Sequence, residues 1–403
     1  MRFSSNSIDR SVPLRRRHSL LGVLATALVV LLVVGFALPA GAIDRVKMKR
    51  DGIEQELVGR IIVKADDGGV VLEARDGLLW TIPPEEQVST ASDAEPFAPY
   101  KPDELAARML KELPAGFDTL QTKHYLICFN TSRAYAQWCG SLFERLYQGF
   151  TNYWSNRGFE PRTPERLLVA VVFADRASYG RFARAELGDA VDSIIGYYSK
   201  KTDRMTMFDL TGTAGAAGDR GSAAQITATL SRPEAFLTVA TIVHEATHQL
   251  AYNCGMQQRY ADIPLWLAEG MAVYFESPDL DGGGKGWRTI GKVNVPRLLE
   301  FRRYLVRNRP KDSLATLIRD DERIRNPKTG GTAYAEAWAL NYFLITVKGK
   351  QYQEYMKVLS EKTPLLMDTP EERVAQFEQS FGDLATLDKE FVKYMQRLKQ
   401  NGS

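Results

Sequence analysis

The chain has 403 residues, which is enough for two or three domains with a sizeable core. Its composition is ordinary for a globular protein, with 44% hydrophobic and 25% charged residues. The formal net charge of +3 comes from the first 42 residues, where five arginines face one aspartate, so the remainder carries no bulk basic field that would indicate nucleic-acid binding.

The N-terminus is typical of an export signal. Arg15, Arg16 and Arg17 precede an apolar run from Leu20 to Leu38, and Ala40-Gly41-Ala42 forms an A-x-A cleavage site. We therefore expect residues 1–42 to be a signal peptide and the protein to be periplasmic, at the cell surface or extracellular. An uncleaved membrane tether is the alternative, because the apolar run is just long enough to span a bilayer.

Residues 43–90 predict a small β-barrel-like module. Short strand-like runs alternate with Asp-Gly turn signals at Asp51-Gly52 and Asp76-Gly77. Four strands are expected, at Val46 to Arg50, Leu57 to Lys64, Val70 to Ala74 and Leu78 to Ile82. The sequence does not indicate a binding partner for this module. A stretch rich in proline, serine and acidic residues begins at Pro83, and residues 91–112 are expected to be a linker.

The remaining sequence predicts an α+β fold. Tyr125 to Asn130 and Leu167 to Phe173 are candidate buried strands, and Ser132 to Trp154 has the periodicity of an amphipathic helix. Ile194 to Tyr198 and Met205 to Leu210 indicate a hairpin. The pattern turns helical near residue 295, which predicts a catalytic domain at 113–295 and a helical C-terminal subdomain at 296–403.

Three cysteines, Cys128, Cys139 and Cys254, permit at most one internal disulfide. None has C-x-x-C spacing. Burial as small hydrophobic side chains is the favoured interpretation for all three.

The chain has four histidines, and two of them lie in one pentapeptide, His244-Glu245-Ala246-Thr247-His248. A helix is expected here, beginning at Ser231-Arg232-Pro233-Glu234 and ending at Asn253-Cys254-Gly255. Residues four apart share a helical face, so both imidazoles can point at one metal ion, and Glu245 can reach a water bound to it. His124 lies on a strand-like segment far from this motif and is expected to be structural.

Glu269 is a candidate third ligand. It lies in a second predicted helix, from Ile263-Pro264 to Glu276, that is otherwise apolar, where a carboxylate needs a partner. Catalytic zinc commonly takes three protein ligands and leaves one position for water.

The pattern His244-Glu-x-x-His248 followed by Trp266-Leu-x-Glu269-Gly-x-Ala272 resembles the gluzincin metallopeptidases, over roughly residues 115–400. The resemblance implies a zincin-like mixed sheet with an active-site helix. It also implies that His244, His248 and Glu269 bind Zn²⁺ and that Glu245 is the general base. Tyr334, at the start of a predicted helix, matches the tyrosine that stabilises the oxyanion. Gly196 to Asp209 matches the edge strand that pairs with substrate.

The sequence departs from the family in two respects. The G-x-M-E-N element with which the aminopeptidase branch grips the free amine of its substrate does not occur between Tyr198 and His244. The thermolysin-like branch has an aspartate four residues after the third ligand, where this chain has Val273. Glu276, seven residues after Glu269, lies on about the same helical face and can orient a histidine. A solvent-exposed acid is the alternative interpretation.

These features predict an exported zinc metallopeptidase acting on a peptide or protein substrate, and an endopeptidase rather than an aminopeptidase. The alternative is a zinc-stabilised domain that binds peptide or cell-envelope material without turnover. The presence of Glu245 favours the enzyme, because a domain that only binds has no use for a base at this position.

Overall fold

In a computed structural model, the described residues are 42–211, 222–232, 235–277, 290–307 and 309–400. They form two compact units, one made of residues 42–75 and 80–98 and the other of residues 76–79 and 99–400. The predicted signal segment lies outside the described residues, apart from Ala42. Among the described residues, no helix is both long enough and apolar enough to cross a membrane.

The first unit contains an antiparallel sheet with strand order β4-β3-β2-β1-β5. Its strands are β1 Ala42–Arg50, β2 Ile53–Lys64, β3 Val70–Ala74, β4 Leu79–Ile82 and β5 Gln87–Pro96. Asp51 and Gly52 both have positive φ, as the tight turn between β1 and β2 requires. A small apolar core fills one face: Val46, Met48, Leu57, Leu72 and Ile82.

Part of the segment that the sequence suggested to be a linker has regular structure. Strand β5 pairs with β1 although most of its small polar side chains are exposed. An edge strand needs only backbone hydrogen bonds on one side, so it carries no hydrophobic alternation that sequence reading could detect. Helix α1, Pro102–Glu112, occupies the end of the same segment, and Glu104 Oε2 accepts a hydrogen bond from the Lys101 backbone N–H at 3.0 Å.

The second unit is built on a mixed five-stranded sheet of order β6-β7-β8-β10-β9. Strands β7, β8 and β10 are parallel, and β6 and β9 run antiparallel to their neighbours at the two edges. The strands are β6 Asp118–Gln121, β7 Tyr125–Phe129, β8 Leu168–Phe173, β9 Gly196–Ser199 and β10 Arg204–Phe208. The two predicted buried strands and the predicted hairpin are thus confirmed to within two residues.

Both faces of this sheet are covered by helices, because alternate residues of each strand point to opposite sides. Ile127, Ala170 and Met205 belong to the large core cluster on the side of α2 and α5, whereas Leu126, Cys128 and Val171 pack in a second cluster on the side of α1 and α3. The helices involved are α2 Arg133–Ser155, α3 Arg176–Leu187, α4 Ala223–Leu230 and α5 Phe236–Asn253.

The rest of this unit is helical, as the sequence predicted. It comprises α6 Leu265–Phe275, α7 Val295–Val306, α8 Ser313–Arg319, α9 Glu322–Arg325, α10 Gly330–Val347, α11 Gly349–Ser360, α12 Pro370–Phe381 and α13 Leu384–Arg397. All eleven residues of α6 are buried, so this helix lies inside the unit. The predicted segments 113–295 and 296–403 therefore belong to one compact unit.

Gly270 allows α6 and α10 to approach closely. A Cβ atom at this position would lie 2.1 Å from Nδ2 of Asn341 and 2.4 Å from the Ala337 carbonyl oxygen. Asn341 Nδ2 also donates to the Trp266 carbonyl at 2.9 Å. The helix that carries Glu269 is therefore held against α10 by backbone contact.

The α+β fold class is confirmed, and two predicted helix starts are wrong. Ser231 ends α4 as its C-cap, and α5 begins at Phe236 (Pro233 and Glu234 lie outside the described residues). Helix α10 begins at Gly330, so Tyr334 lies in its second turn instead of opening it. Both errors arise because helices tolerate polar and small residues at their ends, which blurs a boundary read from apolar periodicity. The three cysteines are free and buried, as expected.

Candidate metal centre

Helix α5 presents His244 and His248 on one face, four residues apart. The helix is fixed to the sheet by Gln249, whose Nε2 donates to the carbonyl oxygens of Val169 in β8 at 3.0 Å and Asp203 at 2.9 Å. Gln249 follows His248 directly and is fully buried. The sheet therefore sets both the position and the rotation of the helix that carries the motif.

His244, His248 and Glu269 form a group that could hold a metal ion, with one ligand atom from each lying within 4.8 Å of the others. The two Nε2 atoms are 3.1 Å apart. Glu269 directs Oε2 to His244 Nε2 at 3.1 Å and Oε1 to His248 Nε2 at 3.6 Å. All three sequence-predicted ligands are thus brought together, with Glu269 supplied by the neighbouring helix α6.

Glu276 contacts the opposite nitrogen of the first histidine. Its Oε1 lies 2.6 Å from His244 Nδ1, and the residue is 6% exposed, so the alternative of a solvent-exposed acid is wrong. Glu276 is the C-cap of α6, and one helix therefore places carboxylates on both sides of the same imidazole. A carboxylate on Nδ1 fixes the ring orientation and favours the tautomer whose Nε2 lone pair can bind a metal.

Glu245 lies beside this group and is held by the edge strand of the sheet. Its Oε2 accepts a hydrogen bond from the backbone N–H of Tyr198 in β9 at 2.8 Å. The other oxygen, Oε1, has no hydrogen-bond partner among the described residues. Burial raises the pKa of the Glu245 carboxyl, although the neighbouring histidines and the Tyr198 N–H act in the opposite direction. A carboxylate with a raised pKa is better matched to accepting a proton near neutral pH.

The pKa of the Glu269 carboxyl, the candidate ligand, shifts in the opposite direction. Burial disfavours its charged form, but His248 and His244 outweigh that effect, and the pKa of Glu269 is lowered. The pKa values of the two glutamates therefore shift in opposite directions. The lowered pKa keeps Glu269 charged, and the raised pKa allows Glu245 to exchange a proton more readily. Such a separation is typical of groups with different chemical roles.

The β9–β10 hairpin that carries Tyr198 is anchored to the end of α5 through Asp203. The Asp203 Oδ1 atom accepts from the Tyr198 hydroxyl and from Asn253 Nδ2, both at 2.7 Å, and Arg166 donates to Oδ2 at 2.6 Å. Asp203 is 5% exposed and has φ of +60°. The edge strand and the motif helix are thus tied together at Glu245 and again at the end of α5.

Tyr334, the predicted oxyanion partner, is 4% exposed in α10, and the guanidinium carbon of Arg297 lies 5.8 Å from its ring centroid. Its role stays a prediction. His124 has the structural role expected for it, because its Nδ1 lies 2.7 Å from Glu144 Oε2 and its ring stacks on Tyr147.

Sequence reading missed three residues around the site: Tyr252, Asp203 and Lys200. Tyr252 follows His248 by four residues and therefore continues the histidine face of α5, which is a signal that the sequence does contain. Asp203 carries no comparable signal, since its partners come from β9, α5 and a loop far away in the chain.

The family model described as "Protein of unknown function (DUF1570)" matches residues 238–366. The matched segment contains His244, Glu245, His248, Glu269 and Tyr334, and it covers less than half of the chain. Among curated proteins, no significant match to this sequence is found.

Proposed function

We propose that this protein is an exported zinc-dependent metallopeptidase that hydrolyses internal peptide bonds. The observation that supports this proposal most directly is the combination of two imidazoles, a carboxylate and a separately held glutamate. His244, His248 and Glu269 form a possible metal-binding group, and Glu245 lies next to it with one oxygen fixed and one available. A site that serves only to bind metal has no need for that fourth residue.

The donor atoms fit zinc in type and spacing. Zinc bonds of 2.0–2.1 Å in tetrahedral geometry place neighbouring donor atoms roughly 3.3 Å apart. Here the two Nε2 atoms are 3.1 Å apart, and the two Glu269 oxygens lie 3.1 Å from His244 Nε2 (Oε2) and 3.6 Å from His248 Nε2 (Oε1). Two neutral imidazoles and one carboxylate are a common ligand set of catalytic zinc, in which the fourth position is left for water.

The ligand order favours the gluzincin branch of these enzymes. Two histidines on one helix are followed by a glutamate on the next helix, as the resemblance in the sequence implies. The buried Glu276 adds a carboxylate behind His244, an arrangement that supports metal ligands in many metalloenzymes.

Zinc bound here would supply a Lewis acid that activates water and polarises the scissile carbonyl. Glu245 Oε1 accepts a proton from the attacking water as the water oxygen bonds to the carbonyl carbon. The same carboxyl then delivers that proton to the amide nitrogen, the C–N bond breaks, and the amine leaves. The Tyr198 N–H holds Oε2 throughout, so the free oxygen keeps a fixed direction. Tyr334 is the proposed donor to the oxyanion.

Internal cleavage is favoured over removal of N-terminal residues. The sequence between Tyr198 and His244 contains no G-x-M-E-N element that could bind a free amine. The proposal of export depends on residues 1–42, where the arginine cluster, the apolar run and the A-x-A site occur in the order of a signal peptide.

The test combines metal analysis with a digest. The purified protein is expected to contain about one zinc per chain, to cleave members of a peptide library, to lose activity with a chelator and to regain it with zinc. Glu245→Gln should retain zinc and lower kcat about 10²–10⁴-fold. Glu160→Gln, an exposed surface change, is the matched control and should behave as wild type.

Full activity of Glu245→Gln would show that the base is assigned to the wrong residue. Bound zinc without cleavage of any peptide would favour the alternative, a zinc-stabilised binding domain. Absence of metal from the wild-type protein, together with no effect of added zinc, would exclude both functions.

A further inference from the structure

The metal-facing side of α5 continues beyond the two histidines to Tyr252. His244, His248 and Tyr252 are spaced four residues apart and so lie on one face of the helix. Tyr252 is 8% exposed, and its ring stacks on Tyr198 with centroids 5.6 Å apart. Tyr198 is the residue whose N–H holds Glu245. Tyr252 therefore lies on the histidine face of α5, and its ring contacts the edge strand that holds Glu245.

Lys200 places a positive charge at this position. It comes directly after β9, two residues beyond Tyr198, and its Nζ lies 5.5 Å from the centroid of the Tyr252 ring. The residue is partly buried, and its neighbour Lys201 is exposed. Within the described residues, no carboxylate lies within ion-pair distance of the Lys200 ammonium. The Tyr252 side chain contacts this ammonium, and a partly buried charge with no carboxylate beside it favours an anionic ligand.

The field of the site keeps this ammonium charged. Burial acts to lower the pKa of Lys200, but Tyr252, Glu269 and Asp321 outweigh it and raise that pKa.

We propose that Lys200 is a specificity-determining residue that binds a carboxylate of the peptide substrate beside the metal-binding group. This inference rests on the proposed peptidase function and names its substrate class, peptides with a negative charge close to the scissile bond. The carboxylate is either the C-terminus of a peptide or the side chain of an aspartate or glutamate. A free amine at this subsite would meet like charge, which disfavours substrates that place their N-terminus there.

Peptide binding to the Glu245→Gln protein tests the assignment without depending on turnover. The probes are fluorescent hexapeptides of one sequence, with the C-terminus free or amidated and with glutamate or glutamine at each interior position in turn. We expect one carboxylate form to bind about tenfold or more tightly than its neutral counterpart, as is typical of a hydrogen bond between charged groups. Comparing the free with the amidated C-terminus, and glutamate with glutamine, shows whether Lys200 binds the C-terminal carboxylate or an acidic side chain.

Lys200 is then changed in this background. Lys200→Met keeps the aliphatic stem and should abolish the carboxylate preference, whereas Lys200→Arg should keep most of it. Lys201→Met is the matched control and should leave the preference unchanged. Circular dichroism and thermal unfolding verify that each variant is folded. When Lys200→Met does not fold, Lys200→Gln gives the test, because it also removes the charge and should likewise abolish the preference.

Equal binding of acidic and neutral peptides, or an undiminished preference in Lys200→Met, would overturn the assignment. A carboxylate preference that depends on Lys200, in a wild-type protein that cleaves no peptide, would leave the assignment standing and overturn the proposed peptidase function. Absence of binding by every probe would overturn both.

Discussion

His244 Nδ1 lies 2.6 Å from Glu276 Oε1, although the two residues belong to different helices and are 32 positions apart. Glu276 is seven residues beyond Glu269, so one helix contributes both a candidate metal ligand and the carboxylate behind another ligand. The contact fixes the imidazole with Nε2 directed at the metal-binding group. The geometry of the candidate metal-binding group therefore depends on the position of α6.

Removal of the Glu276 charge is expected to weaken metal binding without removing a ligand. Glu276→Gln can still contact Nδ1 but no longer carries a negative charge that supports the ring. We expect zinc affinity to fall about 10–100-fold, measured by competition with a chromogenic chelator. Glu354→Gln, at an exposed position in α11, is the control. Unchanged affinity would mean that Glu276 has no part in holding the ligand.

The proposed role of Tyr334 can be tested by removing only its hydroxyl group. If this hydroxyl stabilises the oxyanion, Tyr334→Phe should lower kcat about 10²–10³-fold, with little change in KM or in zinc content. Tyr342→Phe is a matched control, because Tyr342 lies in the same helix and is similarly buried. Steady-state kinetics on a peptide identified by the library digest provides the measurement. Wild-type rates for Tyr334→Phe would assign this residue to packing.

Gly270 is expected to be intolerant of any side chain. A Cβ atom would lie 2.4 Å from the Ala337 carbonyl oxygen, which is backbone and cannot rotate away. Gly270→Ala should therefore push α6 from α10 and destabilise the protein by about 2–3 kcal/mol. Because Glu269 is adjacent, zinc affinity should fall as well. Urea unfolding and chelator competition measure the two effects.

Gly180→Ala is the control for that substitution. Gly180 lies within α3, where a Cβ would meet no heavy atom within 4 Å. Alanine should stabilise the helix there by about 0.5–1 kcal/mol. Equal stability of the two variants would contradict the close helix contact at Gly270.

The lowered pKa of Asp203 predicts that the stability of the folded protein depends on pH. Burial alone would raise the pKa of this carboxyl, but Arg259 and Arg166, with hydrogen bonds from Tyr198 and Asn253, outweigh it and lower that pKa below the ordinary value of 3.8. The folded state therefore binds fewer protons here than the unfolded state. The stabilisation is fully present above about pH 4 and is lost as pH falls through the lowered pKa.

Asp203→Asn should remove this contribution. At pH 7 the variant should be less stable than wild type by about 3 kcal/mol, because the buried Arg166 guanidinium loses the carboxylate that it contacts. The difference should narrow as pH falls below about 4. Urea unfolding across the pH range provides the measurement, with exposed Asp189→Asn as the control. A difference that stays constant with pH would show that the Asp203 charge does not contribute.

The candidate site divides clearly into parts that the sequence predicted and parts that it did not. His244 and His248 share a helical face whatever surrounds them, and Glu269 was recognisable as an acid in an apolar helix. The N–H of Tyr198 could not be predicted as the partner of Glu245, because a backbone donor has no signature in residue identity. The sequence contains no signal for Lys200 either, since a lysine after a strand is ordinarily solvated.

The fold shows the same division. Strands β7 and β8 are continuous apolar runs and were found, because burial on both faces leaves a strong hydrophobic signal. Strand β5 was taken for linker, because its stability comes from backbone pairing with β1 and its side chains are mostly exposed. The residue types in β5 therefore do not indicate which strand it pairs with.

The sequence by itself determined the chemistry available to this protein: two histidines at helical spacing, an acid between them, and a third candidate ligand on the next helix. These follow from the period of the α-helix, which is a local property of the chain. Only the tertiary structure decided that Glu276 lies behind His244, that β9 holds Glu245, and that Lys200 lies over Tyr252. Each of these contacts joins elements whose separation is set by packing of the whole unit, and no local pattern contains that information.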